Sequence, residues 1–366
     1  MKVKILLLIS CLLIVIVASA TSCTPTSPQS QQPAPQATPS PTPATLPQIE
    51  IKMASVNSLN SPSTERMDLL PSKWLEEATR GRAKVTFYPS GSLIPAPDMY
   101  RALQEGIADF GWILGSVTPG AFPLDDLFSL PGLMPNQASS DLVLNVLYEK
   151  YPAFKQQFSP KVKHLCSTVM LRQDIHSTVP IRNVADLKGK KIGCPDEYSA
   201  KALAKLGAAT SLVPQSEMYT SGERGVIDGI VLAWGAIGNW KLDEVYKYHS
   251  MVGGITCVHS TYLMNTNTYN KFTQDEREKI DLLGLHFQYA MISGGPLSAE
   301  PVLNKIPADK SHEIIIWSEK DVNELRETFR PLWDEWAQNM EAKGYPGKEI
   351  LKEAERLIKM YGHIYG

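Results

Sequence analysis

The stretch that decides the fold is Glu217 to Gly229, EMYTSGERGVIDG. It opens like a helix, with an acid near its start and Met218 and Tyr219 behind it, and it stops at Gly225. Val226, Ile227, Asp228 and Gly229 then read as a short buried strand. Asp98 to Asp109, DMYRALQEGIAD, aligns with it without a gap: Asp98 on Glu217, Met99 on Met218, Tyr100 on Tyr219, Gly106 on Gly225, Ile107 on Val226 and Asp109 on Asp228. Glycine suits a left-handed helix stop, where a side chain would be strained. A helix, a glycine stop and a strand at one repeated spacing predict two related α/β lobes with a cleft between them. Chance similarity is the competing explanation. The period is too long for a solenoid repeat.

Composition is that of an ordinary globular protein. The 366 residues are 43% hydrophobic and 20% charged, with a net charge of −2. That length suffices for two lobes with cores of their own. The near-neutral balance argues against nucleic acid as a partner, because phosphate binding needs a basic face.

Residues 1–22 read as a signal peptide. Lys2 and Lys4 precede an apolar run from Ile5 to Ala18, and small residues lead to Cys23. Cys23 fits a bacterial lipoprotein cleavage site, except that Ala20 stands where leucine is usual; plain signal cleavage or an uncleaved anchor is the alternative. Residues 23–47 are almost wholly Pro, Ser, Thr, Gln and Ala and carry no charge. Such a segment cannot bury enough surface to fold and forms a semi-extended tether. Cys166, Cys194 and Cys257 lie far apart with no CxxC, and small buried side chains describe them better than a disulfide.

Folded sequence begins at Ile49, where Ile49, Ile51 and Met53 alternate with polar residues as in a strand. A polar loop, Ser55 to Ser63, follows. Loops at strand C-termini of open α/β sheets line the ligand crevice, which makes Ser55 and Asn57 binding candidates; plain turn chemistry is the alternative. Met67, Leu70, Trp74, Leu75 and Ala78 mark a helix that Gly81 ends, and Val85 and Phe87 a strand. After Asp109 comes a buried strand that runs out into a loop, with Trp112 and Ser116 as cleft candidates; a core role competes for the tryptophan. Asp141 to Tyr151 reads as helix and Val162 to Leu171 as strand. Arg172 follows where the chain crosses between lobes. A guanidinium there can hold a carboxylate through two parallel hydrogen bonds, or form an interlobe salt bridge.

Pro180-Ile181 through Asp186-Leu187-Lys188-Gly189 to Lys191-Ile192 resembles the P-I-x-x-x-x-D-L-K-G-x-K-I segment of TRAP-transporter solute receptors of the DctP type. Thr79-Gly81-Arg82 with Val85 to Leu93, both copies of the repeat, and Phe122 to Leu133 match in the same order, over nearly all of Ile49 to about Asp281. The resemblance implies an extracytoplasmic protein of two α/β lobes, joined by hinge segments and a long interlobe helix. Such receptors close over small organic acids and deliver them to a permease driven by an ion gradient. The family usually has a carboxylate-gripping arginine directly after the K-I pair; here that place is Gly193. The asparagine of sialic-acid-type members is Leu232, and the acid through which some members bind a metal is Ala233, so no metal is expected. Arg172 matches a second arginine found in some members. The changes point away from a dicarboxylate and towards a larger or more apolar monoacid, or a non-acid.

In the second lobe, Ala200 to Leu206 reads as helix, Leu212-Val213-Pro214 as strand, and Trp234 and Tyr198 as apolar cleft walls. Thr273 to Glu276 is a capping box that opens a long helix to about Ser293. Ser318 to Asp321 opens another, with a stripe of Val322, Leu325, Phe329, Leu332, Trp336 and Met340 and a kink expected at Pro331. Ile350 to Ile358 marks a last helix.

Enzyme readings find little support. The histidines, His164, His176, His249 and His259 among them, show no zinc spacing, and no GxSxG or GxxxxGK[ST] is present, so no cofactor is implied. Asp109 and Asp228 fit strand-end capping better than a catalytic carboxylate pair. The expected organisation is lobe I over residues 48–172 plus about 260–305, and lobe II over 173–259 plus about 306–366 with the C-terminal helices. The expected function is a lipid-anchored, extracytoplasmic receptor for a small, carboxylate-bearing solute. It would serve a TRAP-type permease, with Arg172 orienting the anion. A receptor for an ATP-driven importer, or an extracytoplasmic enzyme, stands as the alternative.

Overall fold

Alternation sets the first strand: Ile49, Ile51 and Met53 are buried while Glu50 between them is exposed. The computed structural model describes residues 46–118 and 120–362, apart from the side chains of Ser116, Leu171 and Ser298. The expected signal peptide, Cys23 and the tether lie outside the described residues.

The first half comprises β1 (Ile49–Ala54), α1 (Leu70–Ala78), β2 (Ala83–Tyr88), α2 (Met99–Glu105), β3 (Phe110–Leu114), α3 (Gln137–Lys150) and α4 (Ala153–Gln156). A 16-residue strand, β4 (Val162–Ser177), leads to β5 (Lys191–Cys194), α5 (Glu197–Lys205), β6 (Ala209–Leu212), α6 (Gln215–Glu223), β7 (Gly229–Leu232), α7 (Trp234–Asn239) and β8 (Tyr248–Met251). The chain returns through β9 (Thr256–Asn265) and α8 (Thr266–Tyr269). It closes with α9 (Gln274–Lys305), β10 (Glu313–Ile316), α10 (Glu319–Ala342) and α11 (Gly347–Tyr361).

Strand order is β2-β1-β3-β9-β4-β7-β5-β6, with β8 beside β4 and β10 beside β8. The orders β2-β1-β3 and β6-β5-β7 are the same motif, parallel throughout, used twice. The two sequence copies thus occupy matching places in two equivalent strand motifs. β4 belongs to both halves: it pairs with β9 as far as Gln173, then with β7 and β8 from Asp174 onward. Its register shifts between Val169 and Arg172.

Several boundaries differ from the expected ones. In both copies the strand starts after the aspartate, at Phe110 and at Gly229. Ile107 and Val226 are instead turn residues, 37% and 59% exposed, reached through left-handed Gly106 (φ 74°) and Gly225 (φ 67°). β6 comes before Pro214, not at it. The largest difference is α9. Its capping box at Thr273 is formed, but the helix runs 32 residues, past Pro296 and Pro301, rather than ending near Ser293. Gly294 does not stop it. A Cβ there would lie 2.4 Å from Cγ of Met67, so this glycine permits close approach of two helices. α10 is likewise one helix through Pro331, capped by Ser318. It packs on the first half, where Trp333 and Trp336 donate to the carbonyls of Pro131 and Pro123. Cys166, Cys194 and Cys257 are buried and free.

Candidate ligand-binding site

The strand ends of both halves converge on a cavity of about 460 Å³, within the size range of small-molecule sites. The first half contributes Asn57 from the loop after β1, Met67, and Trp112 and Leu114 from β3. β4 contributes Met170 and Gln173. The second half contributes Pro195 after β5, Gln215 and Ser216 at the start of α6, and Leu232, Ala233, Asn239 and Trp240 around α7. Among the described residues no lining side chain carries a charge.

Two polar side chains are held in defined orientations. Gln173 Oε1 accepts from Thr256 Oγ1 at 3.0 Å, which leaves its Nε2 as a donor for the cavity. Asn57 Nδ2 donates to Asp68 Oδ2 at 2.8 Å, and Trp112 Nε1 donates to Asp68 Oδ1 at 2.9 Å. Burial pushes the Asp68 carboxyl up to about 6, against the pull of hydrogen bonds from Asn57, Ser55 and Trp112.

Of the residues singled out from sequence, Asn57 and Trp112 line this cavity. Ser55 is fully buried beneath it, and its Oγ accepts from the N–H of Asn57. The side chain of Ser116 lies outside the described residues. Arg172 and Trp234 line a different cavity, of about 740 Å³, against α9. The register shift in β4 presents Gln173 to the cleft instead, while the Arg172 guanidinium donates to the Pro135 carbonyl at 2.9 Å. Trp234 Nε1 donates to buried Asp174. Tyr198 lines a third cavity together with Asp126, whose carboxyl burial pushes up to about 7. At Gly193, where the resemblance implied that an arginine was missing, an added Cβ would lie 2.9 Å from Ile227 Cδ1 and 3.2 Å from Val213 Cγ2, so apolar side chains close that place.

Sequence spacing gave no hint of one further cluster. His176, His249 and His312, from β4, β8 and the turn before β10, form a chain. Nδ1 of His176 lies 2.8 Å from Nδ1 of His249, and Nε2 of His249 lies 3.0 Å from Nδ1 of His312. The end groups fix the tautomers. The Leu232 carbonyl can only accept, so His176 donates to it through Nε2 at 3.2 Å. His249 must then donate to His176, and His312 to His249. Lys247 donates to the remaining His312 nitrogen at 3.3 Å. All three rings are neutral and point one way, ending at Leu232 in the cleft wall. Burial holds all three below the ordinary histidine range, His249 at about 4. Among the described residues no group of three or more His, Cys, Asp or Glu side chains is arranged to hold a metal ion.

Residues 53–339 match the DctP family, described as bacterial extracellular solute-binding protein, family 7. An uncharacterized protein YiiZ of Salmonella typhimurium is 28% identical over 211 residues, which is 57% of this chain; the chain spans 64% of that relative's length. A TRAP periplasmic solute binding protein from Desulfovibrio salexigens, solved as an open complex, superimposes with a TM-score of 0.74 at 25% identity, over 85% of this chain and 96% of that one. A marine metagenome TRAP solute binding protein specific for aromatic acid ligands, in complex with 3-hydroxybenzoate, gives a TM-score of 0.75 at 23% identity, over 86% and 99%.

Proposed function

The chain belongs to the DctP family of bacterial extracellular solute-binding proteins, and from that premise we propose that it captures a small organic acid and delivers it to a TRAP-type permease. The observation that carries the reading is the cavity whose walls come from both halves at the strand ends. Its chemistry suits an apolar monoacid better than a dicarboxylate. The walls are uncharged, aromatic and aliphatic side chains interspersed with Asn57, Gln173, Gln215, Ser216 and Asn239, and among the described residues no arginine lines them. Donors for a carboxylate are Nε2 of Gln173 and the first turn of α6 at Gln215 and Ser216, where backbone N–H groups lack helical acceptors. An aromatic acid, the ligand class named for the metagenome protein, fits these walls, and a single carboxylate fits their few donors.

Lobe I is taken as residues 48–172 plus about 260–305, and lobe II as 173–259 plus about 306–366, whose α10 reaches back onto lobe I through Trp333 and Trp336; the two would close about the strands they share. Export to the periplasmic side follows from the family, and Cys23 would tether the receptor by lipid. Mass analysis of the mature N-terminus tests that part: a diacylglycerol adduct on Cys23 is expected, and an unmodified terminus would remove it. The function is tested by mass spectrometry of small molecules released from the purified receptor, with calorimetry of each against ligand-free protein. A released carboxylic acid that rebinds at micromolar strength is expected. Repeated release of no acid, with no binding from an acid panel, would reject the proposal.

A further inference from the structure

Asp68 was not among the residues the sequence pointed to, yet it governs two that were. It sits in the helical turn before α1, fully buried, and both carboxylate oxygens are taken by side chains of the cleft wall. The Trp112 indole N–H can only donate, so it needs one oxygen. The Asn57 amide can present either end, but an ionised carboxylate only accepts; Asn57 must therefore turn Nδ2 inward. Among the described residues its Oδ1 then accepts no hydrogen bond, and Asn57 lines the cavity. On the opposite side Gln173 is fixed the other way, with its oxygen on Thr256 and its nitrogen at the cleft. The cleft thus offers an acceptor from the first half and a donor from β4.

We propose that Asp68 is a positioning residue that sets specificity: by holding the Asn57 amide and the Trp112 indole, it presents Asn57 Oδ1 to the cleft, so the site selects a solute bearing a hydroxyl over the same solute without one. The inference rests on the receptor reading above and narrows it to hydroxylated monoacids. A solute without the hydroxyl leaves Asn57 Oδ1 desolvated and unpaired once the cleft closes, whereas the hydroxylated one fills it. Replacing Asp68 by asparagine reverses the polarity. The new amide gives its oxygen to Trp112 and its nitrogen to Asn57, which must flip and show the cleft an N–H₂ group.

The test is calorimetry of the mature receptor with two matched pairs, benzoate with 3-hydroxybenzoate and phenylacetate with mandelate. Wild type should prefer the hydroxylated member of at least one pair by about tenfold. That preference should vanish in Asn57→Ala. In Asp68→Asn the N–H₂ shown to the cleft can still donate to a hydroxyl oxygen but now also to an ether oxygen, so 3-methoxybenzoate, an acceptor without a donor, should gain on benzoate in Asp68→Asn and not in wild type. The Trp112 indole N–H resonance, assigned by Trp112→Phe, should move in Asp68→Asn without any ligand present. Equal affinity within both pairs, a preference that survives Asn57→Ala, no gain of 3-methoxybenzoate over benzoate in Asp68→Asn, or an unmoved indole resonance would each overturn the proposal. Binding of none of the four would overturn it too. In that case a different acid found on the purified receptor by mass spectrometry would leave the receptor reading standing.

Discussion

Asp109 grips Lys52 by both of its backbone groups: the Lys52 N–H donates to Asp109 Oδ2 at 2.9 Å, and the Asp109 N–H donates to the Lys52 carbonyl at 2.9 Å. Asp228 and Lys191 repeat the pattern at 2.8 and 2.7 Å. In both copies the lysine Nζ reaches the carbonyl of the helix-ending glycine, Gly106 or Gly225. The aspartates therefore join a helix stop to the neighbouring parallel strand, which is why the sequence kept both at one spacing.

Removing these caps should cost unequal amounts. Asp109 is buried and also accepts from Thr268 Oγ1 at 2.6 Å, whereas Asp228 is half-buried. Asp109→Ala should lower unfolding stability by about 2–3 kcal/mol and Asp228→Ala by about 1 kcal/mol. Urea midpoints at constant slope measure both, and an equal loss would contradict the burial argument.

Arginine should not be recoverable at position 193. Gly193→Arg forces a side chain against Ile227 and Val213 and should destabilise by about 1–3 kcal/mol, as overpacking does. Adding Ile227→Ala should return part of that loss. A fully stable Gly193→Arg with tighter acid binding would show that the wall yields.

Stability should respond to acid through the histidine chain. The three rings have folded pKa values below the unfolded value of about 6.5. The folded state therefore binds fewer protons, and the contribution is present above pH 6.5 and lost as pH falls towards the folded value, about 4 for His249. Buried carboxyls oppose this: Asp125, Asp126 and Asp141, pushed up to about 7, gain stability as pH falls. His249→Gln removes one titrating ring and keeps hydrogen-bonding capacity. Its stability relative to wild type should rise as pH goes from 7.5 to 5. A constant difference across that range would remove the chain from the account.

Gln173→Glu should weaken acid binding by about 2 kcal/mol, roughly thirtyfold, by replacing a donor with an acceptor and adding like charge. Calorimetry against the acid the receptor releases measures it. An unchanged affinity would place the carboxylate elsewhere in the cleft.

What the sequence revealed follows the range of the interactions. Capping at Thr273 and Ser318, the left-handed glycines and the two aspartates are local or repeated signals, and all could be read from neighbours along the chain. Asp68 could not, because its partners Trp112 and Asn57 stand 44 and 11 positions away and it sits within an apolar helical stripe. The turn of β4 that gives the cleft Gln173 rather than Arg172 depends on a register shift, which side-chain pattern does not encode. Gly294 followed by Gly295 and Pro296 reads as a helix end, but its actual role is set by Met67, from another element.

The glycines of α9 also constrain motion. Gly284 lies so close to the Leu165 carbonyl that a Cβ would come within 2.5 Å of it, Gly294 receives Met67 in the same way, and Val302 rests over Gly238 of the second half. Such notches resist axial sliding far more than swivelling. A closure of the two halves would then turn about the long helix as an axle, with travel growing with distance from it. In such a closure the mouth would sweep the widest arc and the floor beside β4 would shift least, so a solute would meet its floor contacts before the rim shuts.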